Sequence, residues 1–127
     1  MRDHPAPGEK LVLWMGSSKR DLLQFPGSVI DEVGTALSVA QFGAKHPSAK
    51  VWKGAGSGVL EIVEDLGRAT YRAVYTVRFE RAIYVLHCFQ KKSPSGSRTA
   101  RNDIELIGAR LLEARRDYEM RYGKSEA

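Results

Sequence analysis

Three successive segments rich in apolar residues in the second half of the chain each predict a β-strand. The segments span residues 59–64, 69–79 and 82–90. Residues 65–68 separate the first two segments, and residues 80–81 separate the last two. Links this short join antiparallel neighbours, so the pattern predicts a three-strand meander of hairpins.

The third of these segments is apolar on both sides until it ends. Strict alternation places on one side Ile83, Val85, His87, Phe89 and Lys91. It places on the other side Tyr84, Leu86, Cys88, Gln90 and Lys92. The pattern predicts a central strand that is covered on both sides and that delivers paired lysines to solvent where it ends.

The middle segment is apolar on one side only. Its apolar face carries Tyr71, Ala73, Tyr75, Val77 and Phe79. Its opposite face carries Arg72, Val74, Thr76 and Arg78. Because arginines interrupt the second face, we expect helices to cover this strand on one side only.

The first half of the chain carries one strand pattern and two helix patterns. Residues 10–16 form an apolar run of strand length. A short helix is predicted between the possible caps Ser17 and Ser18 and the stop Pro26, and a second helix is predicted over residues 28–42. A final helix is predicted over residues 99–122. The order of elements predicts one α+β domain over residues 10–123, between a flexible arm (1–9) and a frayed tail (124–127).

The composition narrows the class of protein. With 127 residues, 43% of them hydrophobic, the chain can bury one core. Twenty Lys and Arg against fifteen Asp and Glu give a net charge of +5, which favours an anionic partner such as nucleic acid. The single cysteine allows no internal disulfide, and no apolar run is long enough for a membrane span or a signal peptide. A soluble, cytoplasmic protein is expected.

The motifs predict neither a metal site nor a cofactor. The glycines at positions 54, 56 and 58 lack the strand and the GKS or GKT sequence of a phosphate-binding loop. The histidines at positions 4, 46 and 87 lack the spacing of zinc ligands. Cys88 lies in an apolar strand, which favours a buried structural thiol over an activated nucleophile.

Cationic side chains remain as the candidates for function. Lys53 precedes the first strand of the meander, Arg72 lies on the middle strand, and Lys91 and Lys92 end the third, with His87 nearby. Such a cluster would stabilise the extra negative charge of a pentacoordinate phosphate. RNA cleavage by its own 2′-OH needs an acid, a base and cations but no metal. The alternative interpretation of the same residues is a basic surface that is exposed to solvent and has no catalytic role.

The irregular segment over residues 44–58 is also basic. It carries Lys45, Lys50 and Lys53 and no acidic residue. It is interpreted either as a loop that follows nucleic-acid phosphates or as a solvated surface loop. Arg78 on the middle strand is a further candidate for phosphate contacts.

The order of these motifs resembles the phage-derived Gp49-like proteins, in the HigB branch of the RelE/ParE toxin superfamily. The matching stretches are WMGSSKRDLLQFP (residues 14–26), the Lys-x-x-Lys-Gly approach at residues 50–54, GVLEIVED (58–65), TYRAVYTV (70–77) and VLHCFQKKS (85–93). The similarity spans residues 10–122. The YR-x-V-Y and LHxFQKK segments at this separation carry most of the resemblance.

The resemblance implies a small antiparallel sheet, formed by the N-terminal strand and the meander, with two N-terminal helices on one face and a C-terminal helix alongside. It implies a type II toxin that cleaves mRNA on the ribosome and is silenced by a HigA-like helix-turn-helix antitoxin. By motif, Arg72 is similar to the arginine that stabilises the scissile phosphate, and Lys91 and Lys92 take the place of the basic residues that grip it. His87 is a candidate acid–base group.

Two positions depart from the superfamily pattern. Val63 stands where many members carry an arginine, and no tyrosine follows the basic pair. The acid–base groups are therefore not assigned by the resemblance. Two other functions stay open: a ParE-like toxin that acts on DNA gyrase, and a non-catalytic phage-derived module that binds nucleic acid or a partner protein.

Overall fold

A five-stranded mixed β-sheet with the strand order β1-β5-β4-β3-β2 forms the centre of the structure. This computed structural model describes residues 6–91 and 100–124. The strands are β1 (Leu11–Trp14), β2 (Ala49–Val51), β3 (Val59–Leu66), β4 (Ala69–Thr76) and β5 (Ala82–Lys91). The helices are α1 (Ser18–Leu22), α2 (Gly27–Gln41) and α3 (Arg101–Tyr122). The expected α+β class is confirmed. Residues 1–5 of the predicted arm, residues 125–127 of the predicted tail, and Lys92 lie outside the described residues.

The predicted meander is confirmed, whereas the N-terminal strand joins it in the parallel sense. β3 pairs antiparallel with β4, and β4 with β5. β1 runs parallel to β5, with Leu11 opposite Ala82 and Trp14 opposite Val85. A parallel pair needs a long connection, and the chain provides one through both helices and the three intervening strands. The expectation of a wholly antiparallel sheet was therefore wrong for β1.

The short strand β2 lies within the segment that was expected to be an irregular loop. It pairs antiparallel with β3, with Ala49 opposite Ile62 and Val51 opposite Leu60. Ala49 and Trp52 are buried on opposite sides of the sheet, and they anchor this edge. A strand of three residues is too short to show an alternating pattern in the sequence.

Helices cover both faces of the sheet and produce two apolar cores. The face covered by α1 and α2, called the α2 face below, is built from Leu22, Val33, Leu37, Ile62, Tyr75, Ile83, Val85 and Cys88. The face covered by α3, called the α3 face, is built from Trp52, Val59, Val74, Tyr84, Leu86, Phe89, Ile107 and Tyr118. The prediction that β5 is covered on both sides is confirmed. The prediction that β4 is covered on one side only was wrong, because Val74 and Thr76 are fully buried as well.

A β-bulge in β5 changes the face on which its last residues lie. Val74 of β4 is opposite His87, but the next residue, Tyr75, is opposite Val85, so Leu86 is inserted between them. The insertion reverses the alternation beyond this point. His87, Phe89 and Lys91 therefore share the α3 face with Tyr84, and not the face of Ile83 and Val85 that strict alternation predicted.

An arginine on α3 supports the bulge. Arg110 donates a hydrogen bond from Nη1 to the carbonyl oxygen of Leu86 at 2.9 Å. Its guanidinium also lies against Gly16, where a Cβ atom would come within 2.6 Å of Nη2. Gly16 has a φ of 52°, a conformation that glycine adopts without strain. The turn after β1 thus makes room for the side chain that satisfies the bulged carbonyl.

Candidate functional site

The antiparallel register of β4 and β5 brings three of the predicted site residues together on the α3 face. Arg72 is opposite Phe89, Val74 is opposite His87, and Thr70 is opposite Lys91. Residues opposite each other, or two apart along a strand, project from the same face. Arg72, His87 and Lys91 therefore form one group, called the Arg72 cluster below.

Arg72 is paired with a carboxylate of the neighbouring strand. Its Nη1 donates to Oε1 of Glu61 on β3 at 2.7 Å, and the two side chains are only 10% and 13% exposed. The apolar residue Val63 of β3 is directly opposite Arg72. The guanidinium thus has a fixed position and a balanced charge, and an incoming phosphate would compete with Glu61 for it.

His87 is held between two elements of the α3 face. Its Nε2 lies 2.8 Å from Oδ1 of Asp103, in the first turn of α3. Its ring stacks on Phe89, with 4.5 Å between the ring centroids. Its Nδ1 is buried and has no hydrogen-bond partner among the described residues. Since Asp103 engages one ring nitrogen, the other is the one left to accept a proton.

Lys91 is the member of the cluster whose charge the described residues do not balance. Its Nζ is buried and makes no hydrogen bond within the described part of the chain. Burial and the positive charge of Arg72 lower the pKa of Lys91 below its ordinary value. A bound anion would compensate the ammonium charge, and a lowered pKa makes the ammonium a better proton donor.

The basic residues of the β2 region are exposed at its edge. Lys50 is opposite Glu61 in the β2–β3 pair, so it lies on the α3 face beside the Arg72–Glu61 pair. Lys53 follows Trp52 in the turn toward β3 and is exposed. Lys45 lies beside His46, whose ring contacts Glu32 of α2 at 3.8 Å, on the other side of the sheet.

Arg78 holds the glycine-rich turn before β3. Its guanidinium donates hydrogen bonds to the carbonyl oxygens of Ala55 and Ser57, each at 2.8 Å. A Cβ at Gly58 would come within 2.6 Å of the Cβ of Arg78, so this close approach requires glycine. Phosphate binding by Arg78 would have to replace these hydrogen bonds, and the structure places the residue apart from the Arg72 cluster.

Sequence reasoning missed Glu61 as the partner of Arg72, Asp103 as the partner of His87, and Arg110 as the support of the bulge. Each partner lies at least eleven residues away along the chain. Glu61 and Glu64 lie on opposite faces of β3: Glu64 lies with Glu32 of α2, and burial together with a hydrogen bond to Glu32 raises the pKa of Glu64. No local pattern in the sequence marks these partners.

The Cys88 thiol and possible metal ligands are the other sources of chemistry that the sequence raised. Burial raises the pKa of the Cys88 thiol to about 12, so the thiol stays protonated at neutral pH and is a poor nucleophile. Among residues 6–91 and 100–124, no group of three or more His, Cys, Asp or Glu side chains is arranged to hold a metal ion. Within the same described ranges, no helix is both long and apolar enough to cross a membrane.

Comparison with known proteins identifies one family. The family described as phage-derived protein Gp49-like matches residues 20–112, a span that runs from α1 into α3 and includes the whole Arg72 cluster. Neither the curated proteins nor the solved structures include a match to this chain.

Proposed function

The chain belongs to the phage-derived Gp49-like family, and from this membership we propose that it is a type II toxin that cleaves mRNA on the ribosome and so inhibits translation. The association of the family with toxin–antitoxin modules supports the toxin role. The observation that carries the endoribonuclease proposal is the bulge in β5, because it places His87 and Lys91 on the same face as Arg72. A cationic pair beside a proton acceptor is the minimum set for RNA cleavage by the 2′-OH.

In the proposed mechanism the cluster divides three tasks. Arg72 and Lys91 bind the scissile phosphate and stabilise its added negative charge. Binding of the message must first expose the buried Nδ1 of His87. This nitrogen then takes the proton of the 2′-OH while Asp103 holds Nε2–H. The 2′-oxygen then bonds to phosphorus as the bond to the 5′-oxygen breaks, and Lys91 donates a proton to that leaving oxygen. The products are a 2′,3′-cyclic phosphate and a 5′-OH.

Binding of the message is assigned to the basic residues around the cluster. Lys50 and Lys53 border the α3 face at the β2 edge, and Lys45, in the same basic segment on the other side of the sheet, would contact RNA that continues around this edge. Lys92 follows Lys91 in the sequence and is the second residue of the predicted phosphate-binding pair. The partner that silences the toxin is proposed to be a HigA-like helix-turn-helix antitoxin, and the setting is the cytoplasm.

The chemistry of the cut ends tests the proposal. Purified protein added to a reconstituted translation reaction is expected to cut the mRNA only when ribosomes are present, and to leave 2′,3′-cyclic phosphate and 5′-OH ends. The ends are identified by ligation methods specific for each chemistry. Ends with 3′-OH and 5′-phosphate would contradict the 2′-OH mechanism. An intact message, together with inhibited supercoiling by DNA gyrase, would support the ParE-like alternative instead.

Salt dependence tests the electrostatic part of the proposal. If Arg72, Lys91 and the three lysines of the basic segment each contact a phosphate, the log of the RNA association constant should fall with the log of the salt concentration with a slope of roughly −3 to −4. The triple variant Lys45→Gln, Lys50→Gln, Lys53→Gln should show a slope shallower by roughly two. Fluorescence anisotropy with a labelled single-stranded RNA measures both. A slope near zero for the wild type would remove the basic segment from the binding site.

A further inference from the structure

An apolar groove runs along the outer edge of the sheet, on the face opposite the Arg72 cluster. It encloses about 410 Å³ between β1 and the helices α1 and α2. Its walls include Val12, Trp14, Leu23, Ile30 and Leu37. At Gly34 of α2, which also lines the groove, a Cβ atom would meet nothing within 4 Å. The groove is called the β1 groove below.

The backbone of β1 offers hydrogen-bonding groups beside this groove. β1 is an edge strand whose only strand partner in the described sheet is β5. The N–H groups of Leu11 and Met15 donate to carbonyls on the β5 side, at 3.2 and 2.9 Å. In a parallel ladder, alternate residues bond to the same neighbour, so the N–H and C=O groups of Val12 and Trp14 point away from β5. Val12 and Trp14 thus have no strand partner on this side within the described sheet, and both also line the groove.

The side chains around the groove indicate the chemistry of an occupant. Leu23 is 57% exposed at the rim. Nε1 of Trp14 is buried and has no acceptor in the described ranges. Glu9, Lys10 and Lys19 line the groove; Nζ of Lys10 donates to the carbonyl oxygen of Phe79 at 3.2 Å, and the carboxylate of Glu9 accepts the N–H of Ala6 at 2.9 Å. The site is therefore apolar at its centre and carries two lysines and one glutamate at its rim, a net positive charge that suits apolar side chains flanked by an acidic one.

We propose that the β1 groove binds an extended peptide segment of a partner protein that pairs with the outer edge of β1 as an added strand. Alternate apolar side chains of the segment enter the groove, and acidic residues beside them meet Lys10 and Lys19. A second copy of this chain is a poorer occupant, because it would bring the same lysines against each other in a chain of net charge +5. This binding requires no RNA cleavage, so it stands independently of the proposed function.

The experiment tests the groove by adding a bulky side chain to α2, so that the side chain occupies the space where the peptide would bind. Gly34→Leu places a side chain into the open space at Gly34, and Gly108→Leu makes the same change on α3, where a Cβ atom also meets nothing within 4 Å. Both changes replace a helical glycine by a better helix former, so both variants should fold. Thermal melts of the two full-length variants confirm that they do.

The probe is a phage-displayed library of random linear peptides of strand length, selected on the full-length wild type. Enriched peptides are expected to alternate apolar residues and to carry Asp or Glu at their flanks. In anisotropy measurements with the best peptide, labelled with fluorescein, Gly34→Leu should weaken binding at least about tenfold, and Gly108→Leu should leave it unchanged. Leu23→Glu, a change at the exposed rim, should also weaken binding. A scrambled peptide serves as the control for composition.

Three outcomes would overturn the proposal. The first is no enrichment over the naive library. The second is a selected peptide whose affinity Gly34→Leu leaves intact, which would place its site elsewhere. The third is a wild-type dimer in light scattering that Gly34→Leu dissociates, which would make a second copy the occupant of the groove. Amide hydrogen exchange that slows at Val12 and Trp14 when the peptide binds would support strand addition.

Discussion

Replacing Arg72 with alanine in a chain that also carries Glu61→Gln is expected to lower the rate of mRNA cleavage about 10²- to 10³-fold, because the phosphate then loses one of its two fixed cations. The second substitution is needed because Glu61 and Arg72 are paired at 2.7 Å in a mostly buried position. Arg72→Ala alone would leave an unpaired buried carboxylate, at a cost of about 3–5 kcal/mol in folding free energy. The rate is measured by primer extension in a reconstituted translation reaction.

Two single variants separate catalysis from folding in this experiment. Glu61→Gln alone keeps Arg72 and removes the carboxylate that competes with phosphate, so it should cleave at least as fast as the wild type. Arg72→Ala alone should unfold at lower denaturant concentration than the double variant. A well-folded double variant that cleaves at the wild-type rate would remove Arg72 from the active site.

Asp103→Asn is expected to lower the cleavage rate about 10²- to 10⁴-fold with little change in fold. The carboxylate of Asp103 lies 2.8 Å from Nε2 of His87, so it holds the tautomer in which Nδ1 is free to accept a proton. An asparagine amide can donate to Nε2 instead, which would place the proton on Nδ1 and block its role as a base. Cleavage rates across the neutral pH range are measured for both proteins.

The control for this prediction lies two residues further along the same helix. Glu105 is exposed and pairs only loosely with Arg101, at 4.0 Å on the helix surface, so Glu105→Gln should leave the rate unchanged. Asp103→Glu should recover part of the lost activity if the role is to position the ring. A faster Asp103→Asn enzyme would instead mean that Asp103 obstructs the site, and His87 would then be a structural residue.

Much of the architecture was predictable because it follows from local periodicity. The meander, the two longer helices and the strand β5 covered on both faces each repeat an apolar pattern over many residues. The parallel pairing of β1 and the existence of β2 were not predictable in this way. The first depends on where β5 lies after two helices and three strands of intervening chain. The second depends on a three-residue strand that is held in place by the burial of Ala49 and of Trp52 beside it.

The candidate site also has one part that the sequence determined and another part that only the tertiary structure decided. The sequence by itself determined which residue types are available: an arginine in β4, lysines at the end of β5, and a histidine between apolar residues, in an order that resembles one family. Their arrangement was decided by the tertiary structure, because the bulge at Leu86 moved His87 and Lys91 to the face of Arg72. Glu61 and Asp103 reach Arg72 and His87 from other elements of the fold. Strand register and contacts between distant segments depend on how the whole core packs, and no short stretch of sequence encodes them.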